Sequence, residues 1–272
     1  MRRMLAWCLV ALLSLPIVSI ADENNEPLGW AQIAGGFDED LITGHIILDD
    51  STVVVAGKFT SAALFDEIGI GSVGINGDSD MFIATLNASG NWTSAYNFGS
   101  QGDDGIDSIT LHPSGDLIVV GHFCLGTAGE ACEMNLSTFT LDKAEDDGEG
   151  DAFVGRFSIT NESLEPIWAR TISNAGDLSG FDVEISPNGG VTAAVFHKAN
   201  LDIEGQFLPG SDGTNIAILH YDENGAIVWS NGITSPDGIE IFGGMCYSSE
   251  GYLHIAGTYF GSIEFIEREE SS

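Results

Sequence analysis

The chain has 272 residues, of which 41 are Asp or Glu and only 8 are Lys or Arg, so its formal charge is −33. Nucleic acid and anionic membrane surfaces are excluded as partners, because both require a basic footprint on the protein. Apolar residues make up 43% of the chain and Gly numbers 35, a composition that favours a packed core with many turns over disorder.

The first segment has the features of a secretory signal peptide. Arg2 and Arg3 precede the apolar stretch 4–20, and Ser19-Ile20-Ala21 supplies the small residues of a cleavage site. The stretch is short for a membrane helix and contains Pro16, so anchoring through it is the less favoured interpretation. We predict a signal peptide at 1–21 and a short polar leader at 22–29. The mature protein is then secreted to the extracellular space or the cell surface, without membrane insertion.

From residue 30 onward the chain is a repeat marked by tryptophan. Trp30, Trp92, Trp168 and Trp229 are separated by 62, 76 and 61 residues. Each is followed by a turn and then by a short β-rich run, at 53–57, 117–121, 191–195 and 253–257. A second β-rich run precedes the next tryptophan, at 80–84, 151–155 and 215–219. The sequence therefore predicts β-propeller repeats over 30–272, at about 30–91, 92–167, 168–228 and 229–272, with about four short antiparallel strands in each.

Repeats of this size cannot bury their apolar faces alone, so neighbouring repeats must stack. Four-stranded units usually stack radially as the blades of a propeller, which protects their edges. The predicted fold class is all-β, a β-propeller of about four visible four-stranded blades; a single irregular β-sandwich is the alternative. The second β-rich run does not recur after residue 257, so we expect the last blade to be incomplete. Either the ring has four blades and stays incomplete, or the chain is part of a longer array.

The order of these landmarks resembles the SBBP-type β-propeller repeats of secreted bacterial and archaeal proteins. The second repeat carries the resemblance best, in Trp92, the Gly-Asp and Asp of 102–107, the Pro-Ser-Gly of 113–115, the Val-x-Gly-x-Phe of 119–123 and the Asp-x-Phe-Val of 151–154. Val195 departs from the pattern where Gly is expected, and Ser51 replaces Gly in the first turn. The resemblance implies a scaffold or binding module without a shared catalytic set.

Two acidic segments are candidate calcium sites. Asp103, Asp104 and Asp107 follow the Trp92 strand, and equivalent loops of a propeller cluster on one face, where carboxylates could supply the oxygens that Ca²⁺ prefers. The second repeat is about 15 residues longer than its neighbours, and the excess contains Asp146, Asp147 and Asp151 without the residue order of an EF-hand. A solvated acidic surface and Asp-capped turns are the alternatives.

Three cysteines remain after the signal peptide. Cys124 and Cys132 lie eight residues apart and could form a disulfide in an oxidising compartment. Cys246 is then unpaired; burial as a small apolar residue is the favoured interpretation, and a partner outside this chain is the alternative.

Catalytic motifs are absent from the sequence. There is no Gly-x-Ser-x-Gly elbow, His-Glu-x-x-His pair or phosphate-binding loop, and the six histidines are scattered without ligand spacing. We therefore predict a non-catalytic binding or structural module that meets a protein, glycan or polymer on a loop face, with no cofactor other than a candidate Ca²⁺. The alternative is a propeller enzyme, a glycan hydrolase or lyase that uses carboxylates near the axis.

Overall fold

A computed structural model describes residues 29–74, 77–127, 131–143, 149–160, 163–172, 179–198, 200–211, 213–235, 239–259 and 261–266. The predicted signal peptide, most of the leader, Asp146 and Asp147 lie outside these ranges. The described residues form strands, turns and bends and contain no helix. The all-β prediction is confirmed.

The strands form three larger antiparallel sheets and one further hairpin. The first sheet contains β1 (Asp40–Ile47), β2 (Val53–Thr60), β5 (Ser79–Leu86) and β6 (Trp92–Phe98), with a two-stranded ribbon of β3 (Ala62–Phe65) and β4 (Ile68–Gly71) inserted between β2 and β5. The second contains β7 (Asp103–Leu111), β8 (Leu117–Leu125), β11 (Asp151–Ile159) and β12 (Leu164–Ile172), with the ribbon β9 (Glu133–Leu136) and β10 (Phe139–Asp142).

The third sheet follows the same plan. It contains β13 (Ser179–Ile185), β14 (Val191–His197), β17 (Asn215–Tyr221) and β18 (Ile227–Thr234), with the ribbon β15 (Leu201–Ile203) and β16 (Gln206–Leu208). The fourth unit is the hairpin of β19 (Ile239–Tyr247) and β20 (Leu253–Tyr259), and β21 (Glu264–Ile266) pairs with β18 as a fifth strand of the third sheet. Trp92, Trp168 and Trp229 each lie on the fourth strand of their sheets.

A β-bulge recurs at one place in all four units. The register between the first and second strands shifts at Ile42/Gly44, Ile106/Ser108, Gly180/Asp182 and Phe242/Gly244. A bulge adds one residue to one strand and increases the local twist. The four units therefore share a backbone feature that chance similarity of strand content would not produce.

The core lies between the sheets. Val54 and Ala56 of β2 pack with Leu117 and Val119 of β8 in one buried cluster, which joins the first and second sheets. Further clusters join the second sheet to the third and the third to β19. Central strands are consequently buried on both faces, which explains why β2, β8 and β14 are continuous apolar runs rather than alternating ones.

The first strands of the units contact one another in succession. β1 contacts β7, β7 contacts β13, and β13 contacts β19. Side chains link them: Ser108 Oγ donates to Asp182 Oδ1 at 3.0 Å, and the backbone N–H of Met245 donates to Asp182 Oδ2 at 2.9 Å. Asp182 thus connects the second sheet, the third sheet and the β19–β20 hairpin.

Candidate functional site

The sequence-predicted acids of the second repeat lie at the junction of the first and second sheets. Asp104 is fully buried, and its carboxylate accepts hydrogen bonds from the backbone N–H of Ser100, from Ser100 Oγ at 2.7 Å and from the backbone N–H of Cys124 at 2.9 Å. Asp103 Oδ1 accepts from the backbone N–H of Ser79 at 2.8 Å. Both carboxylates therefore hold the connection between β6 and β7 in place.

Asp80, the first residue of the β-rich run at 80–84, approaches the same junction. Its Oδ2 accepts the backbone N–H of Val73 at 3.0 Å. A Cβ placed on Gly99 would lie 2.0 Å from Asp80 Oδ1 and 2.8 Å from Asp104 Oδ2, so only glycine leaves room for the two carboxyls at this point. The sequence predicted a β-rich run that begins at Asp80, but it did not predict that the Asp80 carboxyl lies near the Asp104 carboxyl.

Burial changes the protonation of this pair. It raises the pKa of Asp104 to about 7 against the opposing hydrogen bonds from Ser100 and Cys124, and the charge of Asp80 raises it further. Burial likewise raises the pKa of Asp80 to about 6, with the Val73 N–H opposing and the charges of Asp78 and Asp103 adding to the rise. Both carboxyls therefore keep their protons to a higher pH than a solvent-exposed Asp does, chiefly because of burial.

Asp107 pairs with His122 rather than with the other acids. Asp107 lies at the bulge of β7, and its Oδ2 is 3.2 Å from His122 Nδ1 on β8. Burial alone would lower the pKa of His122, but the hydrogen bond and charge of Asp107 outweigh burial and raise it. Burial raises the pKa of Asp107, although His122 opposes that rise. The imidazole fits because Gly105 has no Cβ, which would lie 2.7 Å from His122 Cε1.

The candidate calcium ligands are not gathered into one site within the described residues. Asp103, Asp104 and Asp107 are bound to different partners, and Asp151 lies buried at the start of β11, opposite Phe123. In the described part of the chain, no group of three or more His, Cys, Asp or Glu side chains is placed to hold a metal ion. Because Asp146 and Asp147 lie outside the described residues, calcium binding stays a prediction.

Cys124 and Cys132 form a disulfide, with their Cα atoms 6.0 Å apart. The bond ties the end of β8 to the ribbon β9–β10, whose Met134 and Leu136 pack in the same buried cluster. The predicted burial of Cys246 was wrong, because this residue is exposed. Its neighbour Met245 faces the third sheet, and adjacent strand residues point to opposite faces, so Cys246 lies on the outer face of β19.

A second candidate site is a cleft between the third sheet and the β19–β20 hairpin. It has a volume of about 510 Å³, and its lining includes Asn188, His220, Trp229, Tyr247, Tyr252 and Leu253. Trp229 stacks on His220 with ring centroids 5.0 Å apart and ring planes 11° apart. Tyr252 is 66% exposed at the rim. The cleft therefore exposes one aromatic ring at its rim, with the half-buried Trp229 and Tyr247 in its lining. The repeated tryptophans alone did not predict this feature.

Polar groups in this cleft are connected by hydrogen bonds. Thr192 Oγ1 lies 2.8 Å from His220 Nδ1 and 2.8 Å from the hydroxyl of Tyr247. Burial lowers the pKa of His220, so its imidazole is neutral at pH 7. His220 is therefore a neutral ring that is held in place by Thr192 and stacked on the indole of Trp229.

Comparison with known proteins identifies no family for this chain. No protein-family model matches the sequence, and no curated protein matches it. One similar solved structure is the extracellular domain of a putative hybrid two-component system from B. thetaiotaomicron, at 12% sequence identity and a TM-score of 0.17. The similarity covers 85% of this chain and 41% of that one, so this chain spans less than half of its length. A similarity at this level assigns neither fold nor function.

No helix that is long and apolar enough to cross a membrane occurs among the residues with described structure.

Proposed function

We propose that the chain is a secreted β-propeller module that binds a protein, glycan or other polymer and carries out no catalysis. The observation that carries this proposal is the cleft beside the half-buried Trp229, because concave sites lined by aromatic rings with fixed polar neighbours are typical of binding surfaces. The cleft lies beside the turns that end β13 and β19, at Pro187–Asn188 and Gly251–Tyr252, and so corresponds to a loop face.

Three features support a propeller arrangement of SBBP-type repeats. Three sheets share one strand order with an inserted ribbon, the bulge recurs in all four units, and the first strands contact one another in succession. Radial stacking satisfies all three, because it places the first strands of the units side by side around a common centre.

Secretion is supported by the disulfide between Cys124 and Cys132. Disulfides form and persist in oxidising compartments outside the cytosol. The basic start and apolar stretch of the predicted signal peptide agree with that location.

The alternative function is a glycan hydrolase or lyase that uses Asp80 and Asp104. Raised pKa values in a pair of neighbouring carboxyls favour this reading, since glycosidases separate the protonation of two acids in this way. The geometry argues against it, because Asp104 is fully buried and both of its oxygens accept hydrogen bonds from the protein. A substrate therefore has no route to the Asp104 carboxyl in this conformation.

Electrophoresis in native gels tests the two functions together. The mature chain would be run through gels cast with soluble neutral polysaccharide, acidic polysaccharide or gelatin, and the same samples would be assayed for new reducing ends and unsaturated sugars. We expect retardation in at least one gel without any product. Tyr252→Ala should reduce the retardation, whereas Phe207→Ala, which removes a similarly exposed ring from β16, should not. Product formation would favour the enzyme, and no retardation in any gel would contradict the module.

A further inference from the structure

The sequence beyond the predicted signal peptide contains sequons, the Asn-x-Ser or Asn-x-Thr triplets that can accept an N-linked glycan in an exported protein. They begin at Asn87, Asn91, Asn135 and Asn161. Asn161 lies outside the described residues. A sequon is defined by an amide and by a hydroxyl two residues later, so the enzyme that transfers the glycan must reach both groups. The structure shows which of the described sequons presents both.

The sequons at Asn87 and Asn91 contribute groups to the turn between β5 and β6. The side-chain oxygen of Asn87 accepts hydrogen bonds from the backbone N–H groups of Ser89 and Asn91, both at 3.0 Å. The Thr93 hydroxyl donates to the backbone carbonyl of Thr85 at 3.2 Å and lies 2.7 Å from the Thr85 hydroxyl. In each of these two sequons, therefore, one of the two required groups is engaged by the fold.

The sequon at Asn135 presents both groups. Asn135 on β9 and Ser137 are exposed, whereas Leu136 between them is 4% exposed and packs in a buried cluster. The Asn135 amide is bonded to exposed side chains of its own ribbon: Nδ2 donates to Glu133 Oε1 at 3.2 Å, and Oδ1 accepts from Thr140 Oγ1 at 3.0 Å. Within the described part of the chain, no hydrogen bond engages the Ser137 hydroxyl. A transferase can reach this amide and this hydroxyl without opening a sheet.

Space for a sugar adjoins this sequon. A cavity of about 280 Å³ borders Asn135 and Ser137, and its lining also includes Tyr96, Phe157 and Pro166. Apolar and aromatic walls with a few polar groups are typical of sites that hold a small organic ligand. The first sugar of a glycan on Asn135 can therefore pack against this surface.

We propose that Asn135 is the acceptor of an N-linked glycan when the chain is exported. The inference goes beyond the proposed binding function and relies on the proposed secretion, because sequons are used in exported proteins. In the transfer, Asn135 Nδ2 forms a bond to the anomeric carbon of the donor, a lipid-linked oligosaccharyl diphosphate. The bond between that carbon and the diphosphate oxygen breaks, the lipid diphosphate leaves with the electron pair, and one amide proton is released to solvent.

Expression of the mature chain behind the secretion signal of a eukaryotic host that N-glycosylates its secreted proteins provides the test. Mass spectrometry of the secreted chain before and after enzymatic removal of N-glycans gives the number of glycans, and peptide mapping gives their positions. We expect a glycan at position 135. Ser137→Ala should abolish it, and Ser137→Thr should keep it because the hydroxyl is retained. Ser89→Ala, the matched change in the sequon at Asn87, should leave it unchanged.

Three results would overturn the inference. They are a secreted chain without a glycan at position 135 although a reporter glycoprotein from the same cells is modified, a glycan that persists there in Ser137→Ala, and modification confined to Asn87 or Asn91. The native gels keep this inference separate from the proposed function. If a chain without the glycan is still retarded, the binding function stands and only the inference falls. If the chain carries the glycan at Asn135 and no gel retards it, the inference stands and the binding function falls.

Discussion

Glycine decides the geometry of the acidic junction between the first two sheets. Gly99 leaves the space in which the carboxyls of Asp80 and Asp104 approach each other, and Gly105 leaves the space for His122. The acids were visible in the sequence, but their partners were not, because the contacts join residues up to 24 positions apart across two sheets. Sequence spacing therefore predicted the acidic segment but not the partners of its members, which are backbone N–H groups for Asp103 and Asp104 and the His122 ring for Asp107.

Substitution of Gly99 tests this packing. Gly99→Ala places a methyl group 2.0 Å from Asp80 Oδ1, which is too close for non-bonded atoms, so the Asp80 side chain or the backbone at residue 99 must shift. We expect a loss of about 1–3 kcal/mol in the free energy of unfolding, measured by urea titration. Gly71→Ala is the matched control, because a Cβ there meets nothing within 4 Å and its φ is not positive. Equal stability of the two variants would show that the carboxyls are not confined as described.

The same pair predicts how stability depends on pH. The folded-state pKa values of Asp80 and Asp104, about 6 and about 7, lie above the value of 3.8 that is usual for a solvent-exposed Asp. Between pH 4 and pH 7 the folded chain therefore binds more protons at these two carboxyls than the unfolded chain does. Their contribution to the free energy of unfolding is greatest below about pH 4 and is lost as pH rises to about 7. Asp80→Asn removes one acid and its repulsion of Asp104, and the fall in unfolding free energy from pH 4 to pH 7 should become shallower. Asp66→Asn, at an exposed turn, is the control and should show the same decrease in unfolding free energy from pH 4 to pH 7 as the unmodified protein. A shallower decrease in Asp66→Asn than in Asp80→Asn would contradict the interaction between Asp80 and Asp104.

At the level of elements, the long strands were predictable and the ribbons were not. Continuous apolar runs such as 117–121 mark strands buried on both faces in β2, β8 and β14. The fourth run, at 253–257, lies within β20, which is mostly exposed. The ribbons have strands of only three or four residues, joined by turns with positive φ at Asp66, Ser137 and Glu204. Two-residue hairpin turns of this type favour Asn-Gly, and Asp66-Glu67 and Ser137-Thr138 lack that signal. The first and third sheets carry a ribbon as well, so the ribbon does not account for the excess length of the second repeat.

The disulfide should stabilise the second ribbon. Replacing both Cys124 and Cys132 by Ser removes a short loop closure and puts two hydroxyls in a buried cluster, so we expect a loss of about 2–4 kcal/mol in unfolding free energy. Urea titrations with and without a reductant provide the measurement, and reductant should have no effect on the double variant. Cys246→Ser should change little because that side chain is exposed. If reductant still lowers the unfolding free energy of the double variant, the stabilisation does not come from the Cys124–Cys132 disulfide.

For the whole molecule, the repeat determines the architecture more than any single contact does. Each sheet buries apolar side chains against the next, and Asp182 links three units through its carboxylate. The tryptophan spacing predicted a repeat, and within the described residues the strand order recurs in three sheets and the bulge in four units. The cleft beside Trp229 could not be predicted, since it depends on which side chains surround Trp229 in space and not on the residues near it in sequence.

The large negative charge belongs to the whole molecule. Its response to different salts distinguishes specific calcium binding from general screening of the charge repulsion. With 41 acids and 8 bases, repulsion between like charges destabilises the folded state. Salt weakens this repulsion, because the Debye length falls from about 10 Å at 0.1 M to about 3 Å at 1 M. We expect Tm to rise with NaCl, and to rise equally in CaCl₂ and MgCl₂ at matched concentration, because the described acids Asp103, Asp104 and Asp107 are already engaged by protein groups. Scanning calorimetry of the mature chain measures these shifts. A further rise that is specific to calcium and reversed by a chelator would contradict this expectation and assign a calcium site, with Asp146 and Asp147 the first residues to replace.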